Sequence, residues 1–161
     1  MTRAAQLPAI AWAVLAFAAL RSTELINAWR HSPLDRFGWI AFLVWLSPIA
    51  ASVAKPSPPG FHAAGPWLLG ASLGASLIGI VADLNTANYL GLAFAVAALG
   101  GWSWQHALWF ASAIAWMPAF SWAGQGLPRT AIIAGRIVAT SIASFPLLWS
   151  LISPKPHHAT P

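Results

Sequence analysis

Six stretches of this chain are almost continuously apolar: residues 7–27, 37–54, 67–84, 88–103, 106–123 and 131–153. Crossing the hydrocarbon core of a bilayer takes about 20 such residues in a helix, with a range near 17–25. The runs are continuous rather than alternating, which favours helices over a β-barrel, and only those two architectures satisfy every backbone group in lipid. Composition agrees. Apolar residues make up 58% of the 161 positions and charged residues 7%, so 8 Lys+Arg and 3 Asp+Glu are left to solvate the surface. A soluble domain of this size needs far more charge, and disorder needs the opposite balance. The expected fold is all-α: a polytopic transmembrane helix bundle of about six spans, one domain over residues 1–153 with a polar tail at 154–161. The fourth and fifth runs are short and joined by Gly100-Gly101-Trp102-Ser103-Trp104-Gln105, so a re-entrant pair and five spans is the alternative.

The connections are read from helix breakers. Trp29 to Arg36 carries Arg30, Asp35, Arg36 and Pro33. Lys55-Pro56-Ser57-Pro58-Pro59-Gly60 does not continue a helix, because proline lacks the donor and clashes with the preceding turn. Gly124-Gln125-Gly126-Leu127-Pro128 is a third break, before Arg129 and Thr130 open the last helix. Arg3 followed by the apolar run to Leu20 has features of a signal peptide, and is read as an uncleaved first membrane helix. Pro48, Pro118 and Pro146 fall inside predicted spans, with kinks expected at Pro118 and Pro146.

Several chemistries are excluded. The chain has no cysteine, which removes disulfides, thiolate nucleophiles and Cys-ligated metals. Its net charge of +5 comes from scattered basic residues rather than a cluster, so nucleic acid is not an expected partner. There is no HExxH, no Gly-rich phosphate loop and no GxSxG elbow. No cofactor and no metal are implied, and the balance is against an enzyme. His106 is read as an interfacial residue. Of the eleven tryptophans, Trp12, Trp29, Trp39, Trp67, Trp102, Trp104, Trp122 and Trp149 fall near span ends, as interfacial belts do. Trp45, Trp109 and Trp116 lie deeper and are expected to pack inside the bundle or face lipid.

Ionisable residues inside spans are expensive and mark the place to look for function. Arg21, Glu24, Asp83 and Arg136 all fall towards one face of the membrane in a six-span arrangement. Arg136 is six residues past Thr130, about 9 Å along the axis. Arg21 and Glu24 share a helix face at spacing three. Ser72, Ser76, Gly79 and Asp83 form one small-and-polar stripe, and Arg136, Thr140 and Ser144 a second at spacing four. Such stripes are what helices present to each other in lipid. The first, third and sixth runs are therefore expected to meet, with Asp83 coupled to Arg136 and Glu24 to Arg21. Asn27, Arg30, Asp35, Arg36, Asn85, Asn88, Tyr89 and Arg129 join from the adjacent loops, so all three acidic residues belong to this face. The cluster Arg21, Glu24, Asp83, Arg136, Thr140 and Ser144 is the candidate site, either fixing helix register or binding a substrate, a lipid headgroup or a peptide.

One region resembles a known family. Tyr89-Leu90-Gly91-Leu92-Ala93-Phe94 through Gly100-Gly101, followed by Trp109-Phe110 and Ala115-Trp116-Met117-Pro118-Ala119-Phe120, resembles the membrane core of exosortase/archaeosortase proteins. The loop from Trp29 to Gly38 and the aromatic helix after it are compatible. The resemblance implies a polytopic transpeptidase that processes C-terminal sorting signals with Cys, Arg and His. This chain has no cysteine and stops near where that catalytic portion begins, so no catalytic residue carries over. Such a chain is a truncated or non-catalytic relative.

The expected protein is thus a small integral membrane protein of the bacterial inner (cytoplasmic) membrane. It acts as a binding or assembly component, with membrane lipids, a larger membrane complex or a second copy of itself as partners. The alternatives are an exosortase-like protein handling a peptide or lipid-linked substrate, and a small transporter subunit.

Overall fold

The computed structural model describes residues 9–55, 62–101 and 103–153, and these are all-α. Eight helices follow in order: α1 Ala9–Arg21, α2 Glu24–His31, α3 Gly38–Val53, α4 Gly65–Val81, α5 Asn85–Ala97, α6 Trp104–Ala111, α7 Pro118–Ala123 and α8 Arg129–Ile152. A 3₁₀ turn, Ser112–Trp116, links α6 to α7. The expected loop after Lys55, the C-terminal tail and Trp102 lie outside the described residues.

Two of the six apolar runs are not single helices. The first bends by 44° between α1 and α2. The fifth is broken into α6, the 3₁₀ turn and α7, because Pro118 supplies no N–H and drives the preceding residue out of the helical region. Met117 is accordingly extended, with ψ 151. Its own N–H serves the Ile114 carbonyl that Pro118 leaves without a helical donor, at 3.1 Å. By contrast α3 and α8 run without interruption through Pro48 and Pro146. At Pro48 the freed carbonyl of Val44 accepts from the Ser47 hydroxyl at 2.7 Å, a local substitute for the lost bond.

The helices pack as two groups. In the first, α4 and α5 form an antiparallel hairpin on which α1 lies. The stripe of small residues on α4 makes this contact. Ser72 Oγ donates to the Gly91 carbonyl at 2.7 Å, and a Cβ on Gly91 would fall 2.4 Å from Ser76 Oγ. A Cβ on Gly79 would fall 2.3 Å from Asn88 Oδ1. Two glycines thus let the backbones approach closely, as small residues do between helices in lipid. Ser22, at the end of α1, ties this helix to α5 by donating to the Asn88 carbonyl at 3.1 Å.

In the second group α3 and α8 lie side by side and parallel, with Lys55 Nζ donating to the Leu151 carbonyl at the shared C-terminal end. The 3₁₀ turn and α6 close over them. The core here is aromatic. Trp45, Trp109 and Trp116 are fully buried, the bundle-interior placement of the two expected. Trp45 and Trp109 stack at 4.4 Å and 7°. Phe42 packs edge-on against Trp116 at 5.2 Å. The tryptophans at helix ends behave differently: Trp12, Trp39, Trp67, Trp104, Trp122 and Trp149 are all exposed.

Of the expected meeting of the first, third and sixth runs, the first and third do meet, since α1 lies against α4 as well as α5, while the sixth packs elsewhere. The third run, α4, spends its small-residue stripe on α5, and the sixth, α8, packs on α3 instead. Two complementary faces were legible in the sequence. Which partner each selects depends on where the chain turns back.

Candidate functional site

Arg136 is the organising residue of the end where α1, α4 and α7 finish and α8 begins. It lies about two turns into α8 and is completely buried. A buried guanidinium is costly unless it is paired and hydrogen-bonded. Its Nη2 donates to Asp35 Oδ1, from the loop between α2 and α3. Its Nη1 donates to the Ala115 carbonyl at 3.0 Å, and its charge lies 5.5 Å from the centre of the Phe120 ring. Ser121 Oγ donates to the same Asp35 oxygen at 2.7 Å and to the Pro118 carbonyl at 2.8 Å. Four segments are thereby joined around one ion pair: the α2–α3 loop, the 3₁₀ turn, α7 and α8.

The break at Pro118 gives this arrangement its acceptors. Unwinding the chain there exposes the carbonyls of Ala115 and Trp116 to neighbouring donors. Arg136 takes the first. Trp29 Nε1 donates to the second at 3.2 Å. Gly38 makes that bond possible, since a Cβ there would fall 2.3 Å from Trp29 Nε1 and 3.0 Å from the Trp116 oxygen. Buried non-helical backbone is tolerated where protein donors re-satisfy its carbonyls.

The six predicted site residues divide accordingly. Arg136, Thr140 and Ser144 share the buried face of α8. Thr140 Oγ1 is used locally, donating to the Arg136 carbonyl at 2.9 Å, and Ser144 Oγ has no protein partner among the described residues. Arg21, Glu24 and Asp83 are exposed. Glu24 accepts from Asn27 Nδ2 at 3.1 Å rather than from Arg21. The expected pairing of Glu24 with Arg21 therefore fails: the bend between α1 and α2 interrupts the helical spacing that would bring them together. The expected coupling of Asp83 to Arg136 is also corrected. Asp83 has φ 52, and the Leu84 N–H returns to the Gly79 carbonyl at 3.0 Å. That is a Schellman stop, in which the residue after the C-cap takes the left-handed conformation. Asp83 ends α4 and does not enter the core. The one ion pair among the described residues is Arg136–Asp35. Asp35 lies on the face the sequence predicts for it, and its partner is Arg136. Nothing local in the sequence distinguishes the acid 101 positions before Arg136 from the one at the end of α4.

Above this pair the surface is basic. Arg30, His31, Ser32, Pro33, Arg36 and Arg129 line a cleft of about 210 Å³. Beside it lies a second cleft, about 440 Å³, walled by Ile26, Trp29, Arg30, Arg36 and Trp39. The two share Arg30 and Arg36. The arginines come from three elements, α2, the α2–α3 loop and the first position of α8. Among the described residues none is within ion-pair distance of a carboxylate, because Asp35, the nearest acid in sequence, is committed to Arg136. The N-terminal end of α8 adds partial positive charge here, and the C-terminal end of α2, at Arg30 and His31, adds partial negative charge. The smaller cleft therefore carries positive charge with no carboxylate in its lining. Arg30, Arg36 and Arg129 were recognised as part of this face from sequence, but their convergence was not, since they belong to separate segments.

At the opposite end, His62 and His106 line a cleft of about 230 Å³ with Ser52, Ser150 and Gly101. Ser103 Oγ is 2.9 Å from His106 Nδ1. Among the described residues no three His, Asp or Glu side chains gather as metal ligands do. No family model, no curated protein and no solved structure matches this chain.

Proposed function

We propose that the protein is a small polytopic membrane protein that binds an anionic ligand at the Arg30–Arg36–Arg129 cleft, as a binding or assembly component. The observation that carries this reading is the convergence of three arginines on one cleft, while the adjacent acid neutralises a buried arginine beneath them. Like charges held together are unfavourable in isolation and become favourable around a counter-charge.

Support for the membrane comes from length and exposure. Among the described residues α8 alone is long and apolar enough to cross a bilayer, and α1 with α2 qualifies as a bent pair. Helices α3 and α4, at 16 and 17 residues, are about 24–26 Å long at 1.5 Å per residue. That is a little short of the ~30 Å core, a mismatch that local thinning accommodates. Large apolar side chains face outward along these helices, among them Leu43, Ile78, Val81, Val138, Ile142 and Phe145. In water this surface would drive association. In lipid it is simply solvated, and the exposed tryptophans at helix ends suit the interfaces. The inner membrane is the compartment this reading assigns.

The test has two stages. Alkaline carbonate washing of membranes should leave the protein in the pellet. Native mass spectrometry of the purified particle should then show retained anionic ligand, lost in the Arg30→Gln, Arg36→Gln, Arg129→Gln triple variant. Release by carbonate removes the membrane reading, and ligand retention unchanged in the triple variant removes the site. The exosortase-like alternative predicts a retained peptide instead, and the transporter alternative predicts substrate flux in proteoliposomes.

A further inference from the structure

The two clefts at this end differ in chemistry and share two lining residues, Arg30 and Arg36. The smaller is lined by Arg30, His31, Arg36 and Arg129 and holds no carboxylate. The larger shares Arg30 and Arg36, and its remaining walls are Ile26, Trp29 and Trp39. Trp39 and Ile26 are each nearly half exposed. Trp29 is pinned from behind by its bond to the Trp116 carbonyl and by Phe42 at 5.6 Å, so its face is a fixed wall. A ligand that fills both clefts must carry its charge at one end and apolar surface next to it. Building on the anion-binding reading above, we propose that the ligand is a lipid with a phosphomonoester headgroup. Its phosphate lies among Arg30, Arg36 and Arg129, and its first apolar segment lies over Ile26, Trp29 and Trp39.

Charge balance selects the monoester. Three guanidinium groups around one cleft match a group carrying close to two negative charges at neutral pH better than a phosphodiester, which carries one. Arginine presents paired donors that fit phosphate oxygens, so several of the three can engage one headgroup at once. His31 lines the same cleft, and its Nδ1 lies 3.0 Å from the Asn27 carbonyl. The Asp35–Arg136 pair supports the site from below by holding the loop that carries Arg36 against the start of α8. The apolar half of the ligand has a reason to be there as well. Indole rings at a membrane interface bind amphiphiles with one end dry and the other wet.

The experiment uses the full-length protein in lipid nanodiscs made of phosphatidylcholine. Four probes are titrated: dioleoyl phosphatidate as the monoester, dioleoyl phosphatidylglycerol as the diester, brominated-acyl phosphatidate as a tryptophan quencher, and sn-glycerol 3-phosphate as the headgroup without tails. Phosphatidate should bind about tenfold more tightly than phosphatidylglycerol, and at least about a hundredfold more tightly than glycerol 3-phosphate. The Arg30→Gln, Arg36→Gln, Arg129→Gln variant should lose that preference, and Trp39→Ala should weaken phosphatidate while leaving glycerol 3-phosphate unchanged. Bromine quenching should fall on replacing Trp39 by Phe. All these positions are exposed, apart from the wall residue Trp29, which is left intact, so folding is preserved.

Three outcomes overturn the proposal, and they are distinct. Equal binding of glycerol 3-phosphate and phosphatidate leaves an anion site but removes the lipid. Equal binding of the diester and the monoester leaves a lipid site but removes the headgroup assignment. No arginine-dependent binding of any probe removes this inference together with the anion-binding reading on which it rests.

Discussion

Asp35 neutralises Arg136 across 101 residues of chain, from a loop at the bundle end to the buried face of the last helix. The consequence is a rigid junction. One carboxylate oxygen holds both a guanidinium and the Ser121 hydroxyl, so the α2–α3 loop, α7 and α8 share a single acceptor. The arginines outside it are thereby left without an acid of their own.

This pair should be strongly coupled. Asp35→Asn or Arg136→Gln alone leaves a charge in low dielectric, a loss of about 3–5 kcal/mol for a buried pair. The double variant should lose clearly less than the sum, although interhelical polar contacts in membranes often average only about 0.6 kcal/mol. Thermal unfolding in detergent, run as a double-mutant cycle, measures it. Asp83→Asn combined with Arg136→Gln should be additive, and coupling there would place Asp83 in the core after all.

Replacing Asp83 itself tests its role as a helix stop. Glycine adopts the left-handed conformation at no steric cost, whereas β-branched residues resist it. Asp83→Gly should leave the melting temperature unchanged or raise it. Asp83→Val should lower it by an amount matching about 1–2 kcal/mol. Ligand retention should be indifferent to both, and its loss in Asp83→Gly would restore Asp83 to the binding site.

The helix hairpin of α4 and α5 predicts a contrast among its glycines. Gly79→Ala and Gly91→Ala force a methyl into Asn88 and Ser76 respectively, at a cost of about 1–3 kcal/mol from overpacking. Gly70→Ala and Gly74→Ala meet open space and should gain up to about 1 kcal/mol from helix propensity. Chemical denaturation of the four variants orders them, and equal effects would mean that α4 does not present this face to α5.

Trp45 and Trp109 form a reciprocal pair. Each indole N–H donates to the other's backbone carbonyl, at 2.9 and 2.6 Å, while the rings stack. Phenylalanine at either position keeps most of the apolar area and removes one bond, with a loss of about 1–3 kcal/mol. Parallel indoles at this separation should also give a coupled circular-dichroism band in the near ultraviolet. That band should vanish in either Trp45→Phe or Trp109→Phe, and its survival in both would separate the two rings.

Topology is open to a clean test because the chain has no native cysteine. With six crossings, cysteines introduced at Ser57 and Gln125 should react with a membrane-impermeant maleimide from opposite sides. Labelling from one side only would remove a crossing, and the broken segment from α6 to α7 would be the first to reassign.

The helical class and the apolar faces followed from the sequence, because each depends on local composition and on spacing along one helix, whereas the sequence left the three deep tryptophans either inside the bundle or facing lipid. Ser72, Ser76 and Gly79 announced a packing face at their own spacing, and Arg136, Thr140 and Ser144 announced another. Tertiary structure alone decided what each face meets. Asp83 sits at the end of a promising stripe, yet its backbone turns left-handed and carries the side chain away. Asp35 sits in an unremarkable loop, yet that loop closes over α8. The break at Pro118 was expected as a kink, but its use, two freed carbonyls held by Arg136 and Trp29, depends on donors from helices far away in sequence. The physical reason is the same throughout. Helical periodicity fixes which residues share a face within about one turn, whereas the pairing of charges depends on how separate helices are brought together by the connections between them.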